Sequence, residues 1–462
     1  MVNPMNPSSS HASEPLSRNV SRKWAVAATG ASLLVGGLCL FGTGGSASAS
    51  LGPRLSATSD CNSVTTCFTP QQIDVAYGVA PLLAKGIDGK GETVILPELA
   101  ETQASYPEVS DLRLDLKKFD SLFKLPPATL DFVTTLASTP TPWLANGEEV
   151  LDAEAVHAIA PDAPITVLLV APTSLNTATS AVGAFVAAIK LADSLGAVVS
   201  ISAAGQTGGE HCDSLAQVAQ MNTALTSAVR HGVTVVAASG DVGAVGEPCD
   251  VIKGLFGGTF PPVKEVDLPA ASPLVLGVGG TTLSASHKSG AYLGESAWGL
   301  PYGDGNSQFQ ASGGGLSTII ARPSYQSGVA GIGKYRGVPD VSADSSPHTG
   351  MALVLSNGGG NYMIRNGGGT SESAPFWAGI IALADQYAGR HLGLVNPAIY
   401  QIGRSNHYAA AFHDVTSGNN TPVFSGHTFV GYSATVGWDA VTGWGSPDAQ
   451  VLVPLLAHYD KG

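Results

Sequence analysis

The run Gly369-Thr370-Ser371-Glu372-Ser373-Ala374-Pro375 sets one serine between three consecutive glycines, 367 to 369, and an apolar stretch from Phe376 to Ala384. The glycines permit backbone paths closed to other residues, and the apolar stretch predicts a buried helix. A serine at that junction lies among free backbone N–H groups that can stabilise a developing oxyanion, which makes Ser371 the candidate nucleophile. The same residues are also compatible with a glycine loop whose serines cap a core helix.

A serine hydroxyl attacks well only when a base removes its proton. The chain has eleven histidines. His157 lies in the alanine-rich helical pattern Glu154-Ala155-Val156-His157-Ala158-Ile159-Ala160 and lacks the His-Gly-Thr setting of a histidine triad, so packing is its expected role. His211 stands beside Cys212, and His413 and His427 fall in late Gly/Asn/Ser-rich loops. Carboxylates offer a different base. In Gly147-Glu148-Glu149-Val150-Leu151-Asp152, Glu148 and Asp152 project from one face of a helix. If both are partly buried, their repulsion raises one pKa, and the pair shares a proton that it can exchange with a hydroxyl at acid pH. An acidic first turn facing water is the competing reading, favoured by the helix dipole. The strand pattern Ile165–Val170 that follows puts these acids in an αβ unit rather than a tail.

A third element is Val233-Thr234-Val235-Val236-Ala237-Ala238-Ser239-Gly240-Asp241, a β-branched strand ending in Ser-Gly-Asp. Parallel sheets place chemistry at such ends. Asp241 is either a turn former or, protonated, a hydrogen-bond donor to an oxyanion.

The elements that must position these residues alternate. Strands near Val94–Leu96, Ile165–Val170, Val198–Ser202, Thr234–Ala237, Leu274–Val278 and Ala352–Leu355 are interleaved with helical stretches near Thr177–Leu195 and Leu215–Arg230. That alternation predicts an α/β fold with a mostly parallel sheet covered on both faces. No Pro/Ser-rich linker or charge run divides the chain, so one large catalytic domain is expected. The glycine clusters at 313–315, 358–360 and 367–369 lack the lysine of a phosphate-binding loop.

In the order acidic pair, Ser-Gly-Asp, Gly-Thr-Ser-x-x-x-Pro, these elements resemble the sedolisin or serine-carboxyl peptidase family, the acid-active relatives of subtilisin that include kumamolisin. Leu268-Pro269-Ala270-Ala271-Ser272-Pro273, Ser312-Gly313-Gly314-Gly315, Arg336-Gly337-Val338-Pro339-Asp340-Val341-Ser342-Ala343-Asp344 and Gly393-Leu394-Val395-Asn396-Pro397 are similar to further family segments. The resemblance implies a subtilisin-like three-layer αβα fold and a serine-type endopeptidase acting on proteins or peptides. It implies Glu148 as general base for Ser371, Asp152 as the residue that hydrogen-bonds and orients Glu148, and protonated Asp241 beside the Ser371 N–H in the oxyanion hole. Glu149 is the competitor for the base, and its spacing to Asp152 matches the family pattern less well. Phe412–Asn420 and Gly437–Gly443 resemble the family's structural calcium site, which implies one Ca2+ held by the side chains of Asp414 and Asp439 and the main-chain carbonyls of Val415, Thr435 and Gly437. Thr435 stands where glycine is usual. Ser202-Ala203-Ala204-Gly205 stands where many members have Ser-Trp-Gly.

Arg18, Arg22 and Lys23 precede an apolar run from Trp24 to Phe41, and Ala47-Ser48-Ala49 follows it. This pattern is expected to be a secretory signal peptide over 1–49, with no stable membrane anchor and a secreted product. Residues 50–66 form a short extension before a peptidase domain over 67–462, so the long propeptide usual in the family is not expected. Control by a separate inhibitor or folding chaperone is one consequence. Cys61, Cys67, Cys212 and Cys249 remain for two disulfides, whose connectivity spacing leaves open. A net charge of −13 is expected to repel nucleic acid and anionic membranes. A non-catalytic relative that keeps the fold is the alternative to a peptidase, and a neutral protease working through His157 is a third possibility.

Overall fold

The computed structural model describes residues 67–99, 110–134, 144–145, 147–170, 178–202, 209–212, 215–246, 263–301, 309–356, 361–424 and 427–459. The strand Ile165–Val170 shows why a sheet forms here: its six residues, Ile-Thr-Val-Leu-Leu-Val, are all buried, which is possible only when both faces of the sheet are covered. In chain order the strands of this sheet are β1 (Val94–Leu99), β2 (Leu130–Thr134), β3 (Ile165–Val170), β4 (Val198–Ile201), β5 (Val235–Ala238), β6 (Leu276–Ala285), β7 (Tyr292–Ala297) and β8 (Val341–Asp344). Their spatial order is β8-β6-β5-β4-β1-β3-β2, all parallel, with β7 added antiparallel to β6. Val94 pairs with Ile165 on one side and Val198 on the other, so β1 lies in the interior of the sheet.

Period-two alternation divides the apolar side chains between two cores. Val94, Leu96 and Val167 pack with one set of helices, while Ile95, Leu168 and Val170 pack with the other. The helices are α1 (Pro70–Ala76), α2 (Leu112–Phe123), α3 (Gly147–Ile159), α4 (Ala178–Leu195), α5 (Leu215–Arg230), α6 (Thr370–Ala388), α7 (Asn396–Gly403) and α8 (Ala449–Ala457). The first core contains residues of α3 and α6; the second contains residues of α4 and α5, which the Ser227 hydroxyl links by donating to Asp193 at 2.9 Å. Helix α2 buries Leu112, Leu116, Phe119 and Phe123, the spacing of one helical face, and Asp111 caps it by accepting the Arg113 N–H. Helix α1 begins with a capping box in which Thr69 and Gln72 satisfy each other's backbone donors.

The α/β class and the parallel sheet are as the sequence predicts, with one reassignment. The strand Ala352–Ser356 is not in the sheet but pairs antiparallel with Tyr362–Asn366. The sheet positions are taken instead by β8 and by the edge strand β2, whose half-exposed alternation gives a weaker sequence signal than an apolar run. Among the described residues no helix is long and apolar enough to cross a membrane.

Helices α3 and α6 meet closely enough that a Cβ on Gly379 would fall 2.8 Å from the Ile159 side chain. Gly379→Ala should therefore cost about 1–3 kcal/mol by overpacking, despite alanine's better helix propensity. Urea unfolding checks this, and a variant as stable as the wild type would show that the two helices are not in contact there.

Candidate active site

Three parallel strands, β1, β4 and β5, end on one rim of the sheet, and the sequence-predicted groups gather there with two more. Glu98 comes from β1, Ser202 from just beyond β4, Asp241 from the turn after β5, Glu148 and Asp152 from the first turns of α3, and Ser371 from the first turn of α6. Ser371 is 1% exposed, and its hydroxyl lies 3.3 Å from the Ser202 carbonyl as a donor. Glu148 hydrogen-bonds to Ser371. The Glu148 residue is half-buried, but its Oε1 is enclosed.

Asp152 lies deeper, 1% exposed. Its Oδ1 accepts the Ser202 hydroxyl at 2.8 Å, and its carboxyl hydrogen-bonds to Glu98. Burial raises the Asp152 pKa to about 7, against the lowering effect of those two hydrogen bonds. Burial also pushes Glu148 and Glu98 well above the ordinary carboxylate range, and the charge of Asp152 pushes both further. Four acids, Glu98, Glu148, Glu149 and Asp152, thus interact within one low-dielectric region, where full ionisation is unfavourable. Glu149, the competitor for the base, is buried and acts on Glu98 and Glu148 through its charge.

Asp241 is 6% exposed. Its Oδ1 accepts the Thr370 N–H at 2.8 Å and the Thr370 hydroxyl at 2.9 Å, while Oδ2 is buried with no partner. Burial raises its pKa. An unpartnered buried oxygen is costly as a carboxylate but useful as a protonated donor facing a ligand. The Thr370 hydroxyl also accepts the Gly240 N–H at 3.1 Å, so the two loops that carry Asp241 and Ser371 are bonded to each other.

Glu98 escapes a reading based on motifs because it is a single acid inside the strand Val-Ile-Leu-Pro-Glu-Leu. The available signal is the acid itself, since a carboxyl amid an apolar strand requires a polar partner. Ser202 opens the stretch whose following residues depart from the family's Ser-Trp-Gly, and it proves to bridge Asp152 and the main-chain oxygen of Ser371. Ala203, Ala204 and Gly205 lie outside the described residues. His157 is fully buried, with Nε2 2.9 Å from Asp120 Oδ1 and 3.1 Å from the Pro126 carbonyl, which is a packing role.

Of the expected calcium ligands, the side chains of Asp414 and Asp439 both bond to the main chain of the loop 435–442. Both oxygens of Asp414 accept the Gly437 N–H at 3.1 Å; Asp439 Oδ2 accepts the Thr435 N–H, and Oδ1 accepts those of Val441 and Thr442, each at 2.9 Å. Val415 follows Asp414 directly and is buried. Burial raises Asp439 to about 6. Gly437 has φ +78°, whereas Thr435 is not among the positive-φ residues, so threonine fits its position without strain. Carboxylates are among the hard oxygen donors that calcium takes. Glu92, Asp385 and His391 also place donor atoms within 4.8 Å of one another. Asp385 stands about 21 Å along α6 from Ser371, and its group is already ion-paired at 3.2 and 3.6 Å.

Residues 143–398 match the Subtilase family. Kumamolisin of Bacillus sp. (strain MN-32) is 35% identical over 398 residues, covering 85% of this chain and 64% of its own length. Sedolisin of Pseudomonas sp. (strain 101) is 36% identical over 238 residues, 51% of this chain and 37% of its own. Tripeptidyl-peptidase 1 of Homo sapiens is 31% identical over 280 residues, 54% of this chain and 42% of its own. The chain thus spans less than two thirds of the length of these relatives. The solved structure of Pseudomonas sedolisin, a serine-carboxyl proteinase complexed with two molecules of pseudo-iodotyrostatin, matches with a TM-score of 0.66 at 27% identity, covering 85% of this chain and 98% of that one.

Gly369 has φ +75°, and a Cβ there would come 2.7 Å from Asp241 Oδ2. Gly369→Ala should cost about 1–3 kcal/mol and push the Asp241 carboxyl out of place. Urea unfolding measures the loss, and a change below about 0.5 kcal/mol would mean that the turn is not held as described.

Proposed function

The chain belongs to the subtilase family, within its sedolisin group of serine-carboxyl peptidases, and from that premise we propose that it is a secreted, acid-active endopeptidase working through an acyl-enzyme on Ser371. The observation that carries this reading is the hydrogen bond between Ser371 and Glu148 at the edge of a buried acid cluster, with Asp241 bonded to the same helical turn. In the proposed reaction Glu148 accepts the Ser371 proton as Oγ bonds to the peptide carbonyl carbon. The resulting oxyanion is held by the Ser371 N–H and by the proton on Asp241. As the C–N bond breaks, Glu148 gives its proton to the leaving amine. Water then attacks the ester with Glu148 again accepting a proton, and Ser371 recovers its own. Asp152, supported by Glu98 and Ser202, sets the charge and orientation of Glu148.

This scheme demands one ionised carboxyl and one protonated carboxyl at the same pH. Asp241 serves only below its raised pKa, and Glu148 serves as base only while the cluster carries a negative charge, so activity should be bell-shaped and centred in the acid range. A secreted location is proposed from the basic-apolar-small pattern at 1–49, and a peptidase domain over 67–462 from the span of the motifs. Two disulfides among Cys61, Cys67, Cys212 and Cys249 belong to the same proposal, supported by the disulfide-bonded state of Cys67 and Cys212. Calcium, when bound by Asp414, Asp439 and the carbonyls of Val415, Thr435 and Gly437, would tie two loops together and neutralise their carboxylates.

Digestion of an unfolded protein substrate from pH 3 to 7 tests the activity. Ser371→Ala should abolish cleavage, Glu148→Gln should lower kcat by roughly 10²–10⁴-fold, and Glu149→Gln should retain most of it. Absence of Ser371-dependent cleavage throughout that range would leave the non-catalytic reading. For the metal, a chelator should lower the Tm of the wild-type protein at pH 6 while Asp439→Asn, already at the lower Tm, should not respond. Equal responses of the two proteins would remove calcium from this loop.

A further inference from the structure

Phe68 is remote from Ser371 in the chain, yet a single short backbone segment, 350–352, separates it from the nucleophile's turn. Phe68 forms a parallel bridge with Met351: its N–H donates to the Gly350 carbonyl at 3.2 Å, and its own carbonyl accepts the Ala352 N–H at 2.8 Å. These two bonds bracket Met351, whose N–H and carbonyl face the opposite edge of the segment and bond to the turn. The Met351 N–H donates to Glu372 Oε1 at 2.5 Å, and the Met351 carbonyl accepts the Gly367 N–H at 2.7 Å. Ala352 pairs with Asn366, so the hairpin that runs into the glycines 367–369 starts from the same segment. A Cβ on Gly350 would run into the Gly367 carbonyl and fall 2.8 Å from Glu372 Oε2, which puts the two backbones in direct contact.

The Phe68 side chain is what keeps this bridge closed. It is 2% exposed, and its ring stacks on His287 with centroids 4.7 Å apart and planes 16° from parallel. His287 belongs to the turn that joins β6 to β7, and its carbonyl accepts the side-chain amide of Gln72. Thr69 and Gln72 close the capping box of α1 immediately after the bridge. A ring, a helix start and a turn of the main sheet therefore fix the Phe68 backbone. Two backbone hydrogen bonds alone are a weak lock, because water offers each group nearly the same bond; a buried ring beside them raises the cost of opening.

We propose that Phe68 is a positioning residue for Ser371: by bracketing Met351 it holds segment 350–352 in register, and through the other edge of that segment it fixes the glycine turn that aims the Ser371 hydroxyl and N–H. Without the ring the segment loosens, and the turn visits geometries in which the nucleophile and the oxyanion donors no longer converge on one carbonyl. The catalytic consequence rests on Ser371 as the nucleophile; the mechanical link from Phe68 to the glycine turn does not.

The experiment compares the full chain as wild type, Phe68→Leu, Phe68→Ala and Phe119→Ala, at a temperature below every Tm. Phe119 is a fully buried ring on α2 that packs edge-on against Phe123, so its removal supplies the general loss of stability without touching segment 350–352. Amide hydrogen exchange is followed in peptides spanning 366–372, with kcat and KM of Ser371-dependent cleavage alongside. Exchange there should be about tenfold faster in Phe68→Ala, about threefold faster in Phe68→Leu and unchanged in Phe119→Ala. Cleavage should lose about tenfold or more in kcat for Phe68→Ala and less for Phe68→Leu, with KM unchanged, while Phe119→Ala keeps its kcat. Exchange or kcat that stays at the wild-type value in the Phe68 variants, or that moves equally in Phe119→Ala, would overturn the proposal. If Phe68→Ala does not fold, Phe68→Leu decides by the same criteria. Faster exchange at the turn in the Phe68 variants, with no cleavage by any form including the wild type, would keep the mechanical link and discard the peptidase reading instead.

Discussion

A carboxyl group taken out of water keeps its charge only if the protein supplies a cation or several donors in exchange, and the region around Ser371 supplies few. The contrast within the same fold is direct. Asp340 is fully buried, yet it faces Arg336 at 2.6 Å and accepts further bonds from Asn396, Tyr400 and the Gly277 N–H at 2.8–2.9 Å. That is a charge fixed in place to tie strands and helices together. Glu98, Glu148, Asp152 and Asp241 are buried against hydroxyls, backbone donors and one another instead. Such groups keep their protons to higher pH than exposed carboxyls do, and they titrate as a coupled set.

The rigidity around this proton store comes from apolar packing. Helices α3 and α6 carry the acids and the nucleophile, and they meet through residues as small as Gly379. Trp377 anchors α6 to β8 by donating its indole N–H to the Ser342 carbonyl at 2.9 Å. Because β8 ends in Asp344, the same contact ties the strand bearing that buried acid to the helix bearing Ser371. The nucleophile's turn is therefore held by the helix packing on one side and by Asp241 on the other.

The glycine turn reconciles these demands. Backbone at positive φ lets Gly369 pass Asp241 and bond to Ser345, while Thr370 bonds back to Asp241 and Gly240. Any side chain at Gly369 would occupy the space of the Asp241 carboxyl. Asp241 is thereby brought to the nucleophile from a different strand by main-chain geometry rather than by its own side-chain length.

Much of this was written in the sequence. The apolar run at 165–170 and the β-branched run ending at Asp241 specify strands buried on both faces, and the spacing of Glu148 and Asp152 specifies one helical face, because local periodicity alone sets those directions. The glycines before Ser371 announce a turn that only glycine can make. The partners of the acids were not legible there. Glu98, Ser202 and Asp344 meet their neighbours only when distant strands line up in the sheet, and Ala352–Ser356, as apolar as a core strand, is drawn instead into a hairpin with Tyr362–Asn366. Whether a carboxyl is a solvated surface charge or a buried proton carrier is decided by its desolvation, and desolvation is a property of the assembled interior rather than of any local run of residues.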